Sequence, residues 1–246
     1  MTEPDAAQFK NNAIGLFLDV DGTILDLAPT PDAVEVSGAL LEELASLERR
    51  LDGALALVSG RPIDQLDALF APLRLRASGI HGGEIRYSPD EASLSLAGER
   101  LPEEAWRELL TLLENFPGTF AENKGVSFAV HYRHAQASAG DLVEALQRFI
   151  GRFPDLPLEL IAGQLVYEIK LVGFDKGRAI ERFMARPPFA GRRPIFIADD
   201  LVDRPGFDKT IALGGLAYSV GTRLQGVSGW FSRPKALRAW LERLGR

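Results

Sequence analysis

An apolar run that ends in two aspartates constrains the fold of this chain more than any other feature. Residues 14–18 contain no charge and lead directly into the sequence DVDGT at residues 19–23. A short apolar run followed by glycine and threonine is typical of a buried strand that ends in a turn. Ligands bind at the carboxyl ends of the strands in an open α/β sheet. We therefore expect Asp19 and Asp21 to lie at a ligand site.

The spacing of these two aspartates bears on what that ligand is. Asp19 and Asp21 would project from the same face if the strand geometry continued that far. Two carboxylates placed together repel each other unless a cation lies between them. Mg²⁺ takes hard oxygen ligands and commonly binds a phosphate as well. Taken alone, the pair indicates either a Mg²⁺ site or a solvated turn after a core strand.

The first and last thirds of the chain predict one parallel sheet, because strands and helices alternate there in a βαβ pattern. Ser37 is the expected cap of the first helix, and residues 25–36 are an expected loop. The predicted strands are residues 14–20, 54–58, 77–81, 194–198, 210–213 and 217–220, and the predicted helices are residues 40–51, 62–70, 176–185 and 234–244.

The middle of the chain differs, since it combines short strands with two amphipathic helices. Such a succession suggests an α+β unit with an antiparallel sheet. The expected fold class is therefore α/β, with a Rossmann-like parallel core that an α+β domain interrupts. The expected boundaries are residues 1–82 and 173–246 for the core and residues 83–172 for the insertion. We place the hinges near Gly82-Gly83 and Val172-Gly173.

Composition and charge exclude several classes of function. The net charge of −6 argues against a dedicated nucleic-acid binder, because phosphate backbones require a basic surface. The absence of cysteine excludes disulfides, thiolate chemistry and cysteine zinc sites. The amino-terminal residues are polar, and no apolar run approaches the roughly 20 residues of a membrane helix. We expect a cytoplasmic protein, a monomer or weak oligomer, that acts on a small molecule and binds neither nucleic acid nor membrane.

Several residues at the ends of predicted core elements suit phosphoryl transfer. Asp19 can act as a carboxylate nucleophile, and Asp21 as the acid for the leaving alkoxide and then the base for water. A Mg²⁺ ion would cancel the repulsion between these carboxylates and a phosphate. Its expected ligands are Asp19, Asp199 and, through a nearby backbone carbonyl, Asp21.

Other polar groups would bind the phosphoryl oxygens. We expect Ser59 and Lys176 to do so, together with the backbone N–H groups around Gly60. Each residue also has a plainer interpretation: a turn at Ser59, a solvated lysine at Lys176, and caps of the following turn at Asp199 and Asp200. These residues occur in this order along the chain, and each one follows a βα element. That combination favours the functional interpretation.

These stretches resemble the motifs of a known superfamily. DVDGT at residues 19–23, SGR at 59–61, DKG at 175–177 and DDLVD at 199–203 look like the four motifs of the haloacid dehalogenase (HAD) phosphatases. GIHGGE at 79–84, ENKG at 122–125, HYR at 131–133 and EIK at 168–170 add a narrower resemblance to trehalose-6-phosphate phosphatases. The resemblance covers nearly the whole chain.

The resemblance implies a fold, an activity and further site residues. It implies a cap domain inserted in a Rossmann-like core, Mg²⁺ as cofactor, and hydrolysis of trehalose 6-phosphate to trehalose and phosphate. Asp203 would hold Lys176 in place, and Asp200 would support the metal site. In such enzymes the cap binds the sugar that carries no phosphate. The expected substrate-binding residues are Gly60, Arg61, His81, Glu84, Glu122, Lys124, Arg133 and Glu168.

Three residues depart from the pattern of that family. Val202 and Arg204 replace the usual threonine and glutamate of the last motif, and Leu171 replaces a proline after the EIK stretch. Three alternatives therefore stay open: a phosphatase for another sugar phosphate, such as sucrose 6-phosphate, a glycosylglycerate phosphate or a mannosyl phosphate; a phospho-accepting receiver; and a sugar-phosphate sensor without turnover.

Overall fold

The structure, a computed structural model, describes residues 4–9, 13–27, 34–96, 101–163 and 165–245. The chain divides into a core unit, Met1–Leu96 with Asp175–Arg246, and an inserted unit, Ala97–Phe174. Within the described ranges, no helix has the length and apolar character needed to cross a membrane.

Twelve strands and seven α-helices form within the described residues. The strands are β1 (Ile14–Leu18), β2 (Leu55–Val58), β3 (Arg76–Gly79), β4 (Glu84–Arg86), β5 (Leu94–Ser95), β6 (Phe120–Asn123), β7 (Ser127–His131), β8 (Leu158–Gly163), β9 (Val166–Leu171), β10 (Arg193–Ala198), β11 (Leu216–Val220) and β12 (Gly229–Phe231). The helices are α1 (Gly38–Arg50), α2 (Ile63–Leu69), α3 (Glu103–Leu113), α4 (Ala139–Ile150), α5 (Lys176–Met184), α6 (Arg204–Ala212) and α7 (Pro234–Gly245).

The core unit is built on an eight-stranded sheet in the order β12-β11-β10-β1-β2-β3-β4-β5. The pairs from β12 to β3 are parallel, and β4 and β5 add an antiparallel edge. Every residue of β1 and β2 is buried, as expected for central strands of a parallel sheet that is covered on both faces. The predicted α/β fold class is therefore confirmed.

The parallel pairing brings separate parts of the sequence to one edge of the sheet. Strand β1 lies between β10 and β2, and the Asp19 N–H donates to the Ile197 carbonyl at 2.9 Å. The Ser59 N–H, just after β2, donates to the Ser78 carbonyl at 2.9 Å. The carboxyl ends of β1, β2 and β10 thus lie side by side, where this class of sheet binds ligands.

The inserted unit has its own sheet and its own core. Its four strands are antiparallel in the order β6-β7-β9-β8. Side chains alternate between the faces of a strand, and Phe128, Val130, Tyr167 and Ile169 pack in one cluster with buried leucines of α3 and α4. The opposite face carries the intervening residues of the same strands.

The structure corrects the expected start of the insertion. We placed residues 83–96 in the inserted domain, but β4 and β5 extend the core sheet through β3. Gly82 and Gly83 therefore lie within the core unit, and the chain passes into the inserted unit only after Leu96. Residues 97–100 of that connection lie outside the described residues.

Three smaller predictions were also inaccurate. Residues 210–213, predicted as a strand, form the end of α6 and the turn after it, because buried Gly206, Phe207 and Thr210 follow a helical spacing. Strand β12 was not predicted. Strand β3 ends at Gly79 rather than at His81, since the next two residues have positive φ. Ser37 caps α1 as predicted, accepting from the Leu40 N–H. Residues 28–33 of the predicted loop lie outside the described residues.

Candidate active site

The Asp19 carboxylate lies at the centre of the polar cluster after β1. Its side chain is 4% exposed. Asp19 Oδ1 accepts a hydrogen bond from Lys176 Nζ at 2.6 Å, and Oδ2 accepts one from Thr23 Oγ1 at 2.9 Å. Both oxygens are therefore oriented by fixed donors, which restricts the rotation of the carboxylate and pre-organises it.

Lys176 occupies an unusual position for a cation, because it is the first residue of α5 and is almost fully buried. A helix amino terminus favours anions, so other groups must stabilise this buried cation. Lys176 Nζ lies 2.6 Å from Asp19 Oδ1 and 2.5 Å from Asp203 Oδ1. Burial disfavours the ammonium form, but these two carboxylates outweigh it and raise the pKa of Lys176. Asp203 thus contacts Lys176 in the way that the resemblance implied.

Asp199 and Asp203, after β10, complete an acidic cluster with Asp19. One oxygen from each of the three lies within 4.8 Å of the others. Burial, together with the charges of Asp19 and Asp203, raises the pKa of Asp199 to about 8. Burial raises the pKa of Asp203 to about 6, although Lys176 opposes this rise.

The donor set of this cluster fits a hard divalent cation. Asp19 and Asp199 supply carboxylate oxygens, which Mg²⁺ prefers, and a cation would relieve the repulsion that raises the pKa of Asp199. Gly22 makes the cluster possible: its φ is +74°, and a Cβ there would lie 2.1 Å from Asp199 Oδ2. Any larger residue would push the Asp199 carboxylate away.

Asp21 is placed differently from the expected metal ligand. Its two carboxylate oxygens accept hydrogen bonds from Arg61 Nε and Nη2, each at 2.7 Å. Among the described residues, the acidic cluster contains Asp203 in place of Asp21. A contribution of the Asp21 backbone carbonyl to a metal site stays a prediction.

The loop after β2 supplies further polar groups. Ser59 is 1% exposed, and its hydroxyl accepts from the Arg61 N–H at 3.1 Å. Asp200 caps the short 3-10 helix Leu201–Asp203, and its own N–H donates to Asp203. The capping interpretation of Asp200 therefore describes its contacts, while support of a metal site stays a prediction.

A strained turn places His81 beside this loop. Ile80, His81 and Gly82 all have positive φ, which is unusual for isoleucine and histidine. The Ile80 N–H donates to the Arg61 carbonyl and the His81 N–H to the Ser59 carbonyl. The imidazole packs so tightly on Gly60 that a Cβ there would lie 2.5 Å from Nε2. Strain of this kind is often retained at functional sites.

Glu84 has a structural contact as well as its expected role. Its Oε2 accepts from the Ile63 N–H at 2.9 Å, at the start of α2. This bond satisfies one of the free N–H groups at the helix amino terminus. Substrate binding by Glu84 stays a prediction.

The remaining expected substrate residues lie in the inserted unit. Glu168 Oε1 accepts from Ser127 Oγ at 2.7 Å and lies 3.7 Å from Lys124 Nζ. Glu122 Oε2 lies 3.8 Å from His131 Nε2. Arg133 is exposed in the turn after β7.

Sequence reasoning missed several residues that contact the expected ones. Thr23 lies in the DVDGT stretch at residues 19–23, but no role was predicted for it. Its hydroxyl lies 3.2 Å from Asp199 Oδ1, in addition to its contact with Asp19. Ser127 and His131 contact Glu168 and Glu122 across neighbouring strands. No local spacing reveals such contacts, because they depend on strand register.

Comparisons with known proteins identify the family. The model of the trehalose-phosphatase family matches residues 17–222. The trehalose-6-phosphate phosphatase of Escherichia coli is 37% identical over 243 residues, 98% of this chain and 91% of the relative. The chain belongs to the trehalose-phosphatase family. It is accordingly a phosphoric monoester hydrolase, as the sequence predicted.

Two solved structures share the fold of this trehalose-phosphatase family member. The carboxy-terminal domain of the Candida albicans trehalose-6-phosphate phosphatase aligns with a TM-score of 0.81 at 18% identity, covering 99% of this chain and 97% of that one. A HAD-superfamily phosphatase from Bacteroides thetaiotaomicron aligns with a TM-score of 0.59 at 14% identity, covering 96% of each chain. At these identities the likeness concerns the fold.

Proposed function

We propose that this chain hydrolyses trehalose 6-phosphate to trehalose and phosphate through an aspartyl-phosphate formed on Asp19. One observation carries the proposal: the buried Asp19 carboxylate is held by Lys176 and Thr23 at the carboxyl end of β1. A carboxylate held in this way is a nucleophile in fixed orientation next to a cation. The names of the E. coli and C. albicans relatives support the choice of substrate.

In the first step an Asp19 oxygen attacks phosphorus, and the bond from phosphorus to the sugar oxygen breaks. The electron pair of that bond stays on the sugar oxygen, which takes a proton from Asp21. Lys176 and the N–H groups near Gly60 stabilise the negative charge on the phosphoryl oxygens. Trehalose leaves, and the phosphoryl group remains on Asp19.

In the second step Asp21 accepts a proton from water while that water attacks phosphorus. The bond between phosphorus and the Asp19 oxygen breaks, and the carboxylate and free phosphate are released. Lys176 then pairs again with Asp19, through the contact between Nζ and Oδ1 seen at 2.6 Å. A Mg²⁺ ion at Asp19 and Asp199 would supply charge neutralisation between carboxylates and phosphate.

The bidentate ion pair between Arg61 and Asp21 bears on the proposed order of reaction steps. With the guanidinium on both of its oxygens, the Asp21 carboxylate is oriented toward Arg61 and not toward a leaving group. A substrate phosphate offers Arg61 a planar pair of acceptors of the same kind. We infer that substrate binding draws Arg61 from Asp21 and so prepares Asp21 for proton transfer.

The charged residues of the inserted unit are assigned to the sugar. Glu122 and Glu168 provide acceptors and Lys124 provides donors, which match the hydroxyls of a disaccharide. The contacts of Ser127 with Glu168 and of Lys124 with Glu168 hold these groups in place. The nearest competing substrates are other disaccharide phosphates, such as sucrose 6-phosphate.

The contacts of Arg204 favour turnover over a sensor without activity. The Arg204 guanidinium donates to the Gln225 carbonyl at 2.7 Å and lies 3.8 Å from Asp208. Its charge is thus engaged by a neighbouring loop and by its own helix. Nothing in the structure explains the replacement of the usual threonine by Val202. Leu171 ends β9 and packs against the core of the inserted unit.

The test is phosphate release from a panel of sugar phosphates, with Mg²⁺ and with chelator. We expect a preference for trehalose 6-phosphate that chelator abolishes. Asp19→Asn should lower kcat by roughly 10³-fold or more and should form no acid-stable phosphoenzyme in rapid-quench experiments. Asp208→Asn, an exposed acid on α6, is the matched control. Release from another sugar phosphate alone would overturn the substrate, and a phosphoenzyme in Asp19→Asn would overturn the nucleophile.

A further inference from the structure

An aromatic pair lies beside the carboxylates of the inserted sheet. Phe120 and Glu122 alternate along β6, so both project from the face opposite the buried cluster of α3 and α4. His131 on β7 lies directly across from Phe120. Glu122 aligns with Glu168 through Ala129 of the strand between them. One sheet face thus combines an aromatic surface with two acidic groups.

Phe120 is unusual because it is a large apolar residue on a face of polar ones. Its ring stacks on the His131 ring, with centroids 4.3 Å apart and planes only 8° from parallel. His131 therefore covers one side of the ring, yet Phe120 as a whole is still 52% exposed. Leaving this apolar surface in water forgoes stabilisation that a covering ligand would recover.

His131 has a nitrogen without a hydrogen-bond partner. Within the described part of the chain, Nε2 is shielded from solvent and makes no hydrogen bond. It lies 3.8 Å from Glu122 Oε2, slightly too far for a hydrogen bond. A buried polar atom left unpaired costs free energy, so a ligand that closes this gap is favoured.

We propose that Phe120 stacks on the C–H face of the sugar ring that carries no phosphate, and that His131 positions Glu122 to accept a hydroxyl of that ring. A pyranose presents C–H groups on its face and hydroxyls around its rim. An exposed aromatic ring next to a carboxylate complements both surfaces at once. This inference rests on the proposed function, since it names residues that select the sugar. Phe120 is assigned a substrate contact, and His131 acts through Glu122.

The first experiment tests the stacking contact. We expect Phe120→Ala to raise KM for trehalose 6-phosphate by about tenfold, the effect of losing one good aromatic contact. Phe120→Tyr should restore KM to within about twofold. Turnover of p-nitrophenyl phosphate, which has no sugar, should not change. Leu110→Ala is the control, because Leu110 is an exposed apolar residue of α3 in the same unit. Melting temperatures verify that each variant folds.

The second experiment tests the positioning of Glu122. His131→Phe keeps an aromatic partner for Phe120 but removes the nitrogen. We expect a rise in KM of about five- to tenfold for the sugar phosphate and in Kd for unphosphorylated trehalose, measured by calorimetry. In a Glu122→Gln background the same change should have little further effect, because residues that act as a unit are not additive.

The outcomes separate this inference from the proposed function. If wild-type enzyme hydrolyses trehalose 6-phosphate and Phe120→Ala leaves KM unchanged, the stacking contact is wrong and the function stands. If Phe120→Ala impairs p-nitrophenyl phosphate equally, the residue has only a structural role and the inference fails. If the wild type prefers another disaccharide phosphate, the proposed substrate is wrong, and the same variants on that compound decide the stacking contact. Additive effects of His131→Phe and Glu122→Gln would overturn the positioning role.

Discussion

Lys176 shows how single residues set the electrostatics of the site. It is buried with two carboxylates within 2.6 Å, and a third, Asp199, lies close to both of them. The ammonium therefore balances acidic groups that could not otherwise share so small a volume. In the proposed mechanism the same ammonium would stabilise a phosphoryl group on Asp19. Under that proposal, both stability and activity at this site depend on one charge.

Replacing Lys176 by methionine tests this dependence. Lys176→Met should reduce kcat by about 10²-fold or more and destabilise the fold by roughly 3–5 kcal/mol at pH 7, the usual effect of breaking a buried ion pair. Lys176 lowers the pKa of Asp203, so without the ammonium that pKa rises further above its ordinary value, and the folded state binds the proton more tightly than the unfolded state. Stability should then fall as pH increases from 5 to 8.

Thermal melts across this pH range, with phosphate-release assays, provide the measurement. Lys209→Met is the control, because Lys209 pairs with Glu181 at the surface and should contribute less than about 1 kcal/mol. A Lys176→Met variant as stable as wild type at pH 8 would contradict this account.

Arg61 offers a second test at the same scale. Arg61→Gln should lower kcat/KM by about 10- to 100-fold, because the phosphate loses a bidentate donor. Arg61→Lys should recover only part of that loss, since lysine keeps the charge but not the planar fork. Steady-state kinetics measure both effects, with Arg74→Gln as a surface control in the same unit. Full recovery by lysine would indicate that only charge matters.

The residues of the site were predictable to different degrees. Asp19, Lys176 and Asp203 follow strand or helix ends, so their convergence follows from the topology of a parallel sheet. The bidentate pair of Arg61 with Asp21 was not predictable, because it depends on side-chain conformation. The contacts of Thr23 were not predictable for the same reason, since its hydroxyl lies within hydrogen-bond distance of both Asp19 and Asp199. His131 could not be found from spacing, since strand register decides its neighbours.

Helices and strands were also predictable where the local sequence pattern determines them, and not where pairing with a distant strand does. Helix α1 was predictable, because its leucines follow a helical period and Ser37 caps it. Residues 210–213 were misassigned, since a short apolar segment does not distinguish the end of a helix from a strand. Residues 83–96, which contain the edge strands β4 and β5, were assigned to the wrong unit. Only the pairing of β3 with β4 shows where they belong.

The packing of α1 near α7 leads to a pH prediction. Glu43 Oε1 is buried without a hydrogen-bond partner among the described residues. Burial and the nearby Glu242 raise the pKa of Glu43 to about 7, and Arg238 opposes this only in part. The folded state therefore binds this proton more tightly than the unfolded state. Stability should decrease as pH rises from about 4.5 through about 7.

Glu43→Gln should remove this pH dependence. The neutral amide makes the protein more stable than wild type at pH 8 and nearly equal to it at pH 4.5. Melting temperatures at a series of pH values measure the difference. Glu42→Gln, at an exposed neighbouring position of α1, should leave the wild-type profile unchanged. Parallel pH profiles for wild type and Glu43→Gln would refute the assignment.

At the scale of the whole molecule, the core unit carries the residues assigned to phosphoryl transfer, and the inserted unit carries the residues assigned to the sugar. The presence of an insertion was predictable from the change in strand pattern. Its start was not, because β4 and β5 continue the core sheet past Gly83. Action of the inserted unit as a closing cap stays a prediction.

The effect of Mg²⁺ on thermal stability tests the proposed metal site in the whole folded protein. Mg²⁺ should raise the melting temperature in proportion to the logarithm of its concentration above Kd, because binding adds about 2.7 kcal/mol to the free energy of unfolding at 100 times Kd. Chelator should reverse the shift, and Asp199→Asn should abolish it. Asp208→Asn should retain it. A shift that survives in Asp199→Asn would place the metal elsewhere.

The position of β1 in the core sheet has a consequence for biosynthesis. Strand β1 pairs with β2, which follows soon after it, and with β10, which begins at Arg193. At 5–20 residues per second, a ribosome needs roughly ten to thirty-five seconds to produce the second partner. Until then one edge of this buried strand is unpaired, and for most of the interval Lys176, the cation that balances Asp19, has not yet been synthesised. Translation that stops within this interval leaves β1 with an unpaired edge, which favours aggregation, so active phosphatase requires a chain that extends through β10.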